Sequence, residues 1–539
     1  MDCCSTIPFK QLPFSELFND YIKNPEKLKS FYENNPLCER ETEDFLSSYE
    51  FSGNRKTSAE LLKSFNKKFD AGKETLNQVE KLNQPDCLTV VTGQQLTLYG
   101  GPLFTVYKTV SAIVLAHKLE NKYGRPVVPV FWLADEDHDY EEAATLGILD
   151  RDDWHQLTYE IRENSKKPVG RIEFNSGFSE FREKLSEYLL DTDFTHELTN
   201  LLDICYRPGA TFREAFGKLI LNLFSKHGLI LAGSDDEQIK KHCGHILKKT
   251  VQEHEKIYGA LSASTGKLLD SGYHQQVKFG KSNLFLLNET GSRLKLDLDE
   301  DGNWFADNKT FTKTELLDQI DSDPASFSPN VFIRPLLQDY LLPAAAYVAG
   351  PGELAYYAQM KELYSVFDMK MPMIMPRFSA TLLESNIDRI MEKLPFKIGE
   401  YDKRIEDLES EFIEQSDEVD VEAIFNDWKK KEDKITKEKK EMIGKIDPTL
   451  KGSAGKAKAH FFTELDKLKG KIYRSLKQQE ETDLKRIHKI KANLFPGGGL
   501  QERQVAFIYF MNKYGIDIWD KTISFFKHEE PVNHKVIKF

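Results

Sequence analysis

The sequences LTVVTGQQ at residues 88–95 and VVPVFWLADEDHD at residues 127–139 decide the fold of this chain. Each begins with an uncharged run rich in β-branched residues, and the segment between them has the apolar pattern of a long helix that ends near Gly124. Two such runs joined by a helix predict a βαβ unit whose parallel strands are buried on both faces. Ligands bind such sheets beyond the carboxyl ends of the strands, so we expect the chemistry at residues 93–95 and 135–142.

Further apolar runs near residues 230, 347 and 374 alternate with helical segments. This alternation predicts an α/β fold, a Rossmann-like doubly wound parallel sheet. In the first of two insertions, residues 154–161 and 169–174 predict a hairpin whose turn lies at Asn164 and Ser165. The predicted division is residues 1–84, a helical N-terminal region; 85–149, 226–261 and 330–378, the core; 150–225 and 262–329, two connecting insertions, the second β-rich; 379–495, a helical coiled coil; and 496–539, a segment that returns to the core.

The charge-rich region after residue 379 has a heptad pattern, since Trp428, Ile435 and Met442 recur every seven residues. A second run then spaces its apolar residues alternately by four and three, which predicts an antiparallel coiled coil of two helices. A lone helical hairpin would leave Leu465 and Leu468 partly uncovered, so we expect a homodimer through this region. The alternative is a monomer whose two helices satisfy each other.

Composition narrows the classes of partner and compartment. The net charge of −12 argues against nucleic acid as the main partner, because there is no basic excess to neutralise phosphates. The six cysteines lack metal-type spacing and are expected to be reduced thiols. No stretch of about 18 apolar residues and no leader pattern occurs. The sequence therefore predicts a cytoplasmic protein without a membrane partner.

Six of the eight positions from 135 to 142 are acidic, and His138 lies among them. One interpretation is a helix N-terminus that favours acids through the helix dipole. The functional interpretation is that Asp135, Asp137 and His138 bind or deprotonate an amine, since the acids directly follow a buried strand. The cluster could also hold Mg²⁺, although no fixed ligand spacing supports a metal site.

Other candidate residues lie at neighbouring strand ends. Gln94 and Gln95 end the first strand, and the turn formed by Gly350, Gly352 and Glu353 precedes a helix whose backbone N–H groups are expected to bind an anion such as a nucleotide phosphate. The likeliest cationic partners of a substrate carboxylate are Lys108, Arg334 and Arg377. Tyr107 is interpreted as core or as cleft wall rather than as a catalytic group.

Several of these stretches together resemble the bacillithiol-biosynthesis cysteine ligases, a family that adds cysteine to glucosaminyl-malate. The stretches are residues 91–95 with 100–108, 130–139, 330–334, 349–353 and 375–377. The resemblance runs along the whole chain, including the coiled coil. It implies a core similar to class I nucleotidyltransferases, two connecting insertions, a coiled coil that can dimerise, and the cytoplasm of bacteria that make low-molecular-weight thiols. The implied substrates are cysteine and glucosaminyl-malate.

One departure affects how the bond would be made. Class I adenylate-forming enzymes carry a His-x-Gly-His signature and a lysine-rich loop, and neither occurs here: Gly100 to Leu103 contains no histidine, and no lysine follows Arg377 directly. ATP, with Mg²⁺, is the candidate co-substrate, but the signatures that would support its use are missing. Two functions therefore stay open. The first is an amide-forming ligase, and the second is a non-catalytic binding protein that docks pathway partners through its coiled coil.

Overall fold

The computed structural model describes residues 2–161, 166–299, 301–416 and 420–538. The chain forms two compact units, the first comprising residues 1–382 and 500–539 and the second residues 383–499. None of the described helices combines the length and the apolar composition that a bilayer crossing requires.

The first half of the first unit contains the N-terminal region, the start of the main sheet and the first insertion. The N-terminal region consists of β1 (Asp2–Ile7), α1 (Glu16–Lys23), α2 (Glu39–Ser47), α3 (Arg55–Lys67) and α4 (Lys73–Lys81). The main sheet starts with β2 (Leu88–Gln95), α5 (Leu103–Tyr123), β3 (Val127–Ala134) and α6 (Tyr140–Ala143). The insertion contains β4 (Thr145–Leu149), β5 (Trp154–Thr158), α7 (Phe178–Tyr188), α8 (Thr195–Cys205) and α9 (Phe212–Phe224), and leads into β6 (Ile230–Gly233).

The second half of this unit contains the second insertion and completes the main sheet. Three helices come first: α10 (Glu237–His242), α11 (Gly244–Gln252) and α12 (His254–Asp270). The insertion contains β7 (Leu284–Leu287), β8 (Arg293–Lys295), β9 (Asp297–Leu298), β10 (Trp304–Ala306), β11 (Lys309–Phe311), α13 (Lys313–Ser322), β12 (Phe327–Pro329) and α14 (Ile333–Leu341). The sheet ends with β13 (Ala344–Ala349), α15 (Pro351–Tyr357), α16 (Lys361–Val366) and β14 (Met373–Pro376).

The rest of the chain is largely helical. After β15 (Ala380–Leu383), the second unit contains α17 (Ser385–Met391), α18 (Ile405–Ser416), α19 (Val421–Ile446), α20 (Lys451–Gln479) and α21 (Glu481–Leu494). The chain returns to the first unit with α22 (Gln501–Gln504), α23 (Phe507–Tyr514), α24 (Ile518–Phe526) and β16 (His534–Lys538).

The main sheet confirms the predicted doubly wound fold. Its strand order is β14-β13-β2-β3-β6, and the described pairs are all parallel. The chain order reverses between β13 and β2, which is the place where sheets of this kind bind ligands. Strand β3 is buried along nearly its whole length, and α5 ends at Gly124 in the left-handed conformation, with φ of 65°. The five strands predicted near residues 90, 130, 230, 347 and 374 are thus the strands of one sheet.

The predicted hairpin of the first insertion is wrong in its pairing. Strand β5 pairs antiparallel with β4, from Thr145 opposite Thr158 to Leu149 opposite Trp154. Residues 169–171 form a 3₁₀ turn, and Gly170 N donates to Asp135 O at 3.2 Å. The turn between β4 and β5 is short, so this local pairing costs little loop-closure entropy. The predicted turn at Asn164 and Ser165 lies outside the described residues.

Helices α19 and α20 of the second unit form the predicted antiparallel coiled coil. Lys429 pairs with Asp466 at 2.5 Å, and farther along α19 Asp433 pairs with Lys458, which precedes Asp466 in α20, at 2.8 Å. Val421, Phe425 and Leu465 are buried between the helices, and the partly buried Phe461, Ile472, Tyr473 and Leu476 pack against them.

In the first unit, a buried polar cluster holds β15 next to the returning C-terminal segment. Ser379 Oγ donates to Glu502 Oε2 at 2.9 Å and lies 2.8 Å from His534 Nδ1, while Thr381 Oγ1 lies 2.9 Å from His534 Nε2. Since the single Ser379 hydrogen goes to Glu502, His534 Nδ1 is the donor to Ser379 and Nε2 accepts from Thr381. Burial lowers the pKa of His534 to about 4, so the ring is neutral at pH 7.

This cluster predicts a loss of stability in mild acid. The folded-state pKa of His534 lies below its unfolded value of about 6.5, so the stabilisation is complete above that pH and declines as the pH falls toward 4. At pH 5 the linkage corresponds to about 2 kcal/mol. We expect His534→Gln to lose less stability than the parent between pH 7.5 and pH 5, as measured by urea unfolding at both values. Equal losses in the two proteins would contradict this assignment.

Candidate active site

A cavity of about 620 Å³ opens in the first unit at the carboxyl ends of β2 and β3. The second insertion and α14 form its other walls. Typical small-molecule sites measure about 300–1,000 Å³, so the volume suits a small substrate. We call it the strand-end cavity, and its lining includes Gln94, Trp132, His138, Arg293, Arg334 and Glu353.

The structure brings most of the predicted site residues to this cavity. Those that line it are Gln94, Gln95, Lys108, Asp137, His138, Arg334 and Glu353. Those that lie outside its lining are Asp135, Tyr107, Arg377, Gly350 and Gly352. Whether a predicted residue lines the cavity depends on the ion-pair and hydrogen-bond partners that it contacts in the folded chain.

A buried ion pair joins α5 to the start of α15. Lys108 Nζ lies 2.5 Å from Glu353 Oε2 and donates to Gly93 O at 2.6 Å and to Gln94 Oε1 at 3.0 Å. Burial lowers the pKa of Lys108, and the neighbouring Glu353 opposes that shift. Tyr347 also donates to Glu353, at 2.6 Å. The charge of Lys108 is thus compensated within the protein, and the ion pair forms a fixed part of the cavity wall.

The same carboxylate occupies the predicted anion site at the glycine turn. Gly350 N donates to Glu353 Oε2 at 2.7 Å, so this N–H is not available to a phosphate. A Cβ on Gly352 would meet only Gln276 Nε2, at 3.7 Å, which leaves room for a side chain. The turn is therefore capped by its own glutamate, and glycine is not required there for the close approach of a ligand.

The first two acids of the cluster after β3 have partners inside the protein, although Glu136 also lines the cavity. Asp135 is fully buried, accepts from Asp235 N at 3.1 Å and lies 3.8 Å from Arg213 Nη1. Burial, together with the nearby Asp235 carboxylate, raises its pKa well above the usual range. Glu136 is paired with the buried Lys240. Asp135 is therefore placed behind the cavity and cannot contact a substrate amine there.

Asp137 and His138 line the cavity as well, together with Glu142. Arg293 Nη1 donates to His138 Nδ1 at 3.0 Å and lies 3.6 Å from Asp137 Oδ1. Because arginine can only donate, His138 Nδ1 is the acceptor and Nε2 carries the proton of the neutral ring. Burial and the Arg293 charge lower the pKa of His138. In this arrangement His138 offers a hydrogen-bond donor through Nε2 rather than a basic nitrogen.

Arg293 is a cavity residue that the sequence did not reveal. It lies on β8, its guanidinium stacks 3.7 Å from the centre of the Phe285 ring, and it donates to Ser328 Oγ at 2.8 Å and to Pro329 O at 2.9 Å. An isolated arginine in a short β-rich insertion has no motif around it. Its position depends on the fold of the insertion over the sheet.

Arg334 lines the cavity, where the Glu353 carboxylate lies near it without forming an ion pair. It lies on α14, donates to Gln338 Oε1 at 2.9 Å, and lies 5.9 Å from the Trp132 ring centre. Gln338 Nε2 in turn donates to Asp339 Oδ1 at 2.8 Å, which fixes the orientation of the arginine. Within the described part of the chain, no carboxylate forms an ion pair with Arg334. A cation held in this way is a ready partner for a ligand carboxylate.

Three buried polar atoms of the cavity lining also lack hydrogen-bond partners within the described ranges. They are Gln95 Nε2, Trp132 Nε1 and Ser282 Oγ. Buried polar atoms are usually satisfied, so unsatisfied ones mark places where a ligand or water binds. Two of the three are obligate N–H donors, which match ligand oxygen atoms.

The two remaining candidates have structural surroundings. Tyr107 is fully buried, and its ring lies edge-on to Phe526 at a centroid distance of 6.2 Å. Arg377 forms two hydrogen bonds with the buried Glu502, at 3.0 and 2.7 Å. The structure therefore places Tyr107 in the core and Arg377 in the cluster that holds the C-terminal segment, so neither reaches a substrate in the strand-end cavity.

Among the described residues, no group of three or more His, Cys, Asp or Glu side chains is arranged to bind a metal ion.

Two family profiles together match nearly the whole chain. The profile described as "Bacillithiol biosynthesis BshC, N-terminal Rossmann-like domain" matches residues 1–378. The profile described as "Bacillithiol biosynthesis BshC, C-terminal coiled-coil domain" matches residues 380–539.

Curated proteins with the name "Putative cysteine ligase BshC" are similar to this chain over most of its length. The protein of Salinibacter ruber is 33% identical over 515 residues, which cover 94% of this chain and 93% of the relative. The protein of Chlorobaculum tepidum is 32% identical, with 93% of each chain covered. The protein of Geobacillus kaustophilus is 30% identical, with 89% of each chain covered.

The different surroundings of Arg377 and Arg334 predict different effects on stability. Arg377→Ala would leave the Glu502 carboxylate buried without its partner, at a cost of about 3–5 kcal/mol. Arg334→Ala leaves no buried carboxylate without its ion-pair partner and should cost less, about 1.5–3 kcal/mol for the lost charged hydrogen bond to Gln338. Urea unfolding followed by tryptophan fluorescence compares the two variants. Similar losses in both would contradict the assignment of Arg377 to the structural cluster.

Proposed function

Since this chain belongs to the bacillithiol biosynthesis BshC family, we propose that it joins the carboxylate of cysteine to the amine of glucosaminyl-malate by an amide bond. The observation that carries this proposal is the position of Arg334 in the strand-end cavity, where none of the described carboxylates forms an ion pair with it. A site that neutralises its own acids and leaves an oriented arginine free suits an anionic substrate.

The malate group provides two carboxylates for the basic side of the cavity. Arg334 binds one of them, and Lys278 and Arg293 lie in the same lining. The Nε2 proton of His138 and the unsatisfied N–H of Trp132 supply further donors to carboxylate oxygens. Charge-assisted hydrogen bonds of this kind contribute about 1.5–3 kcal/mol each, which is enough to fix the orientation of a small dicarboxylate.

The acidic side of the cavity suits the amine. Asp137 has a half-exposed side chain, and Glu142 also belongs to the lining. Asp137 lies between β3 and α6, 3.6 Å from Arg293 of the second insertion, and Glu142 lies on α6. A substrate that carries carboxylates at one end and an ammonium group at the other would match this distribution of charge.

Amide formation from a carboxylate and an amine releases water and needs a co-reactant that activates the carboxylate. We propose ATP, with Mg²⁺, as that co-substrate. The glycine turns do not fit its phosphates: Gly350 N is bound by Glu353, Gly101 N donates to Leu98 O, and Leu103 N donates to Val505 O. No step of the proposal is therefore assigned to these turns.

The occupied turns favour a second candidate function, a non-catalytic protein that binds the metabolite and docks pathway partners. Such a protein needs the basic cavity but no phosphate site. The acids that face the cavity favour the ligase, because a binding protein for glucosaminyl-malate has no need for a group that removes a proton. The two functions differ in whether a product is formed.

The ligase is tested with purified chain, glucosaminyl-malate and cysteine, with and without ATP and Mg²⁺, by mass spectrometry of the condensed thiol. We expect product only with ATP, and Arg334→Ala should lower kcat/KM by about 10- to 100-fold through the loss of a charge-assisted contact.

Two exposed lysines of one loop serve as matched controls. Lys278 lines the cavity and Lys281 does not, so only Lys278→Ala should raise the KM for glucosaminyl-malate. Product without a nucleotide would contradict the role of ATP. Tight binding of the substrate without any product would favour the non-catalytic function.

We also propose that the chain is a homodimer through its coiled coil. Trp428, Ile435 and Met442 lie seven residues apart on α19, and their side chains are 41%, 49% and 57% exposed. Leu465, which the sequence suggested as part of the dimer surface, is instead buried between α19 and α20. An exposed apolar stripe with heptad spacing is typical of a helix that packs against a partner helix.

The stripe on α19 predicts the effect of charge on assembly. Ile435→Glu combined with Met442→Glu should convert a dimer of twice 62.2 kDa into a monomer without loss of helix content, because both side chains are exposed in the single chain. Lys440→Glu, also on the exposed surface of α19, is the control for added negative charge. Light scattering gives the mass, and a parent chain that is already monomeric would contradict the proposal.

A further inference from the structure

A second cavity, of about 570 Å³, lies in the first unit between the β4–β5 hairpin, the start of α5 and α22. We call it the hairpin cavity, and its lining includes Thr97, Phe104, Glu142, Trp154, Thr158 and Gln504. It is comparable in size to the strand-end cavity and falls within the usual range for small-molecule sites, about 300–1,000 Å³. The proposed function has so far left it without a role.

One face of the hairpin forms a polar wall with a single large ring. Trp154, Gln156 and Thr158 alternate along β5 and line the cavity, whereas Leu157 between them is buried. Thr145 on β4 lies opposite Thr158 and lines the same cavity. Hydroxyl and amide groups both donate and accept hydrogen bonds, and the indole offers an apolar face. This combination suits a polyhydroxylated ring that has hydroxyl groups on its edge and C–H groups on its faces.

The rest of the lining contains a hydroxyl group without a hydrogen-bond partner and more acidic than basic side chains. Thr97 is 3% exposed, and its Oγ1 has no hydrogen-bond partner within the described ranges. Gln504 presents a further amide side chain. Of the charged residues in the lining, Glu141 and Glu142 are acidic and Arg503 is basic. The net negative charge disfavours a phosphorylated or carboxylated ligand and favours one with an ammonium group.

Glu142 is the residue that lines both cavities. Burial raises its pKa, the nearby Asp139 and Asp137 add to the effect, and Lys108 and Arg503 oppose it. Lys108 lines the strand-end cavity and Arg503 lines the hairpin cavity, so charges in both cavities affect the pKa of Glu142. A carboxylate with a raised pKa is a stronger base than an ordinary surface glutamate.

We propose that the hairpin cavity is the subsite for the sugar ring of an amino-sugar substrate, and that Glu142 accepts the proton of its ammonium group. This inference rests on the proposed function, in which the malate carboxylates bind in the strand-end cavity. In glucosaminyl-malate the amine is attached to the carbon next to the one that carries malate. With malate in one cavity and the sugar in the other, the amine lies at the boundary, where Glu142 is placed.

The proton transfer is balanced within the site. An N–H bond of the ammonium group breaks, its electron pair stays on nitrogen, and an O–H bond forms on the Glu142 carboxylate. The neutral amine then has the lone pair that attack on an activated cysteine carboxyl requires. Without this step the ammonium group is not a nucleophile.

Filling the hairpin cavity tests the subsite directly. Thr158→Trp and Gln156→Trp each place a large ring in the cavity at an exposed strand position, where folding should be preserved. We expect both to weaken glucosaminyl-malate binding by about tenfold or more and to leave L-malate binding within about twofold of the parent, as measured by ligand-observed NMR. Glu160→Trp, on the exposed segment just after β5, is the control for an added surface ring.

The role of Glu142 is tested by a kinetic comparison. Glu142→Gln keeps the shape of the side chain but cannot take a proton, so kcat should fall by about 100-fold or more while KM changes little. Glu160→Gln removes one exposed negative charge from a neighbouring segment and should leave both constants unchanged. Normal turnover by Glu142→Gln would overturn its assignment as the proton acceptor.

The outcomes separate this inference from the proposed function. If the filled variants bind glucosaminyl-malate as the parent does, while Arg334→Ala weakens binding, the sugar lies elsewhere and the inference is overturned, but the strand-end cavity keeps its function. If the parent binds neither glucosaminyl-malate nor L-malate, both proposals fail.

Discussion

Charge buried at the ends of the parallel strands must be compensated, and this constraint decides which groups are left for a ligand. Removing an ion from water costs several kcal/mol unless a partner is in contact. Here Lys108 is matched by Glu353 and Glu136 by Lys240, whereas the raised pKa of Asp135 favours its uncharged form. Once these pairs are made, the groups that face the strand-end cavity without an internal counter-charge are few. The groups available to a ligand are thus those that the fold does not use to neutralise its own buried charges.

This division explains what the acidic cluster after β3 does. Asp135 belongs to the interior, and Glu136 is paired with Lys240 at the cavity wall. Asp137 and His138 line the strand-end cavity, and Asp139 accepts from Glu142 N at 3.1 Å as the N-cap of α6. The cap is the helix-dipole interpretation of the cluster, and the cavity-facing acids are the functional one. The structure confirms the cap, and the functional interpretation stays a prediction for the acids that line the cavity. The last acid of the run lines two cavities because α6 is short and ends directly at the hairpin.

The sequence predicted correctly the features whose position follows from apolar periodicity or from the end of a strand. The five strands of the main sheet, the coiled coil, and the placement of Gln94, Lys108 and Arg334 at one edge followed from apolar runs and from the topology of such sheets. It was not informative where a side chain's role depends on which partner it meets across the fold. Arg377 and Arg334 look alike in the sequence, yet Arg377 contacts Glu502, which lies 125 residues away along the chain. Arg293 comes from an insertion whose short strands carry no motif, and strand β5 pairs with a segment that the apolar pattern did not mark as a strand.

The smaller sheet of the first unit joins segments from opposite ends of the sequence. In its strand order, β1-β16-β15, the described neighbour of β1 is β16, and Asp2 lies opposite Lys538. A ribosome synthesises β1 hundreds of residues before β16, so during translation the first strand has an open edge for most of the time the chain is being made. Pairs so distant in sequence form late and slowly. Exposed edges also invite pairing with other chains. This sheet can therefore close only after β16 has been synthesised, so the order of synthesis delays the pairing of β1 with β16.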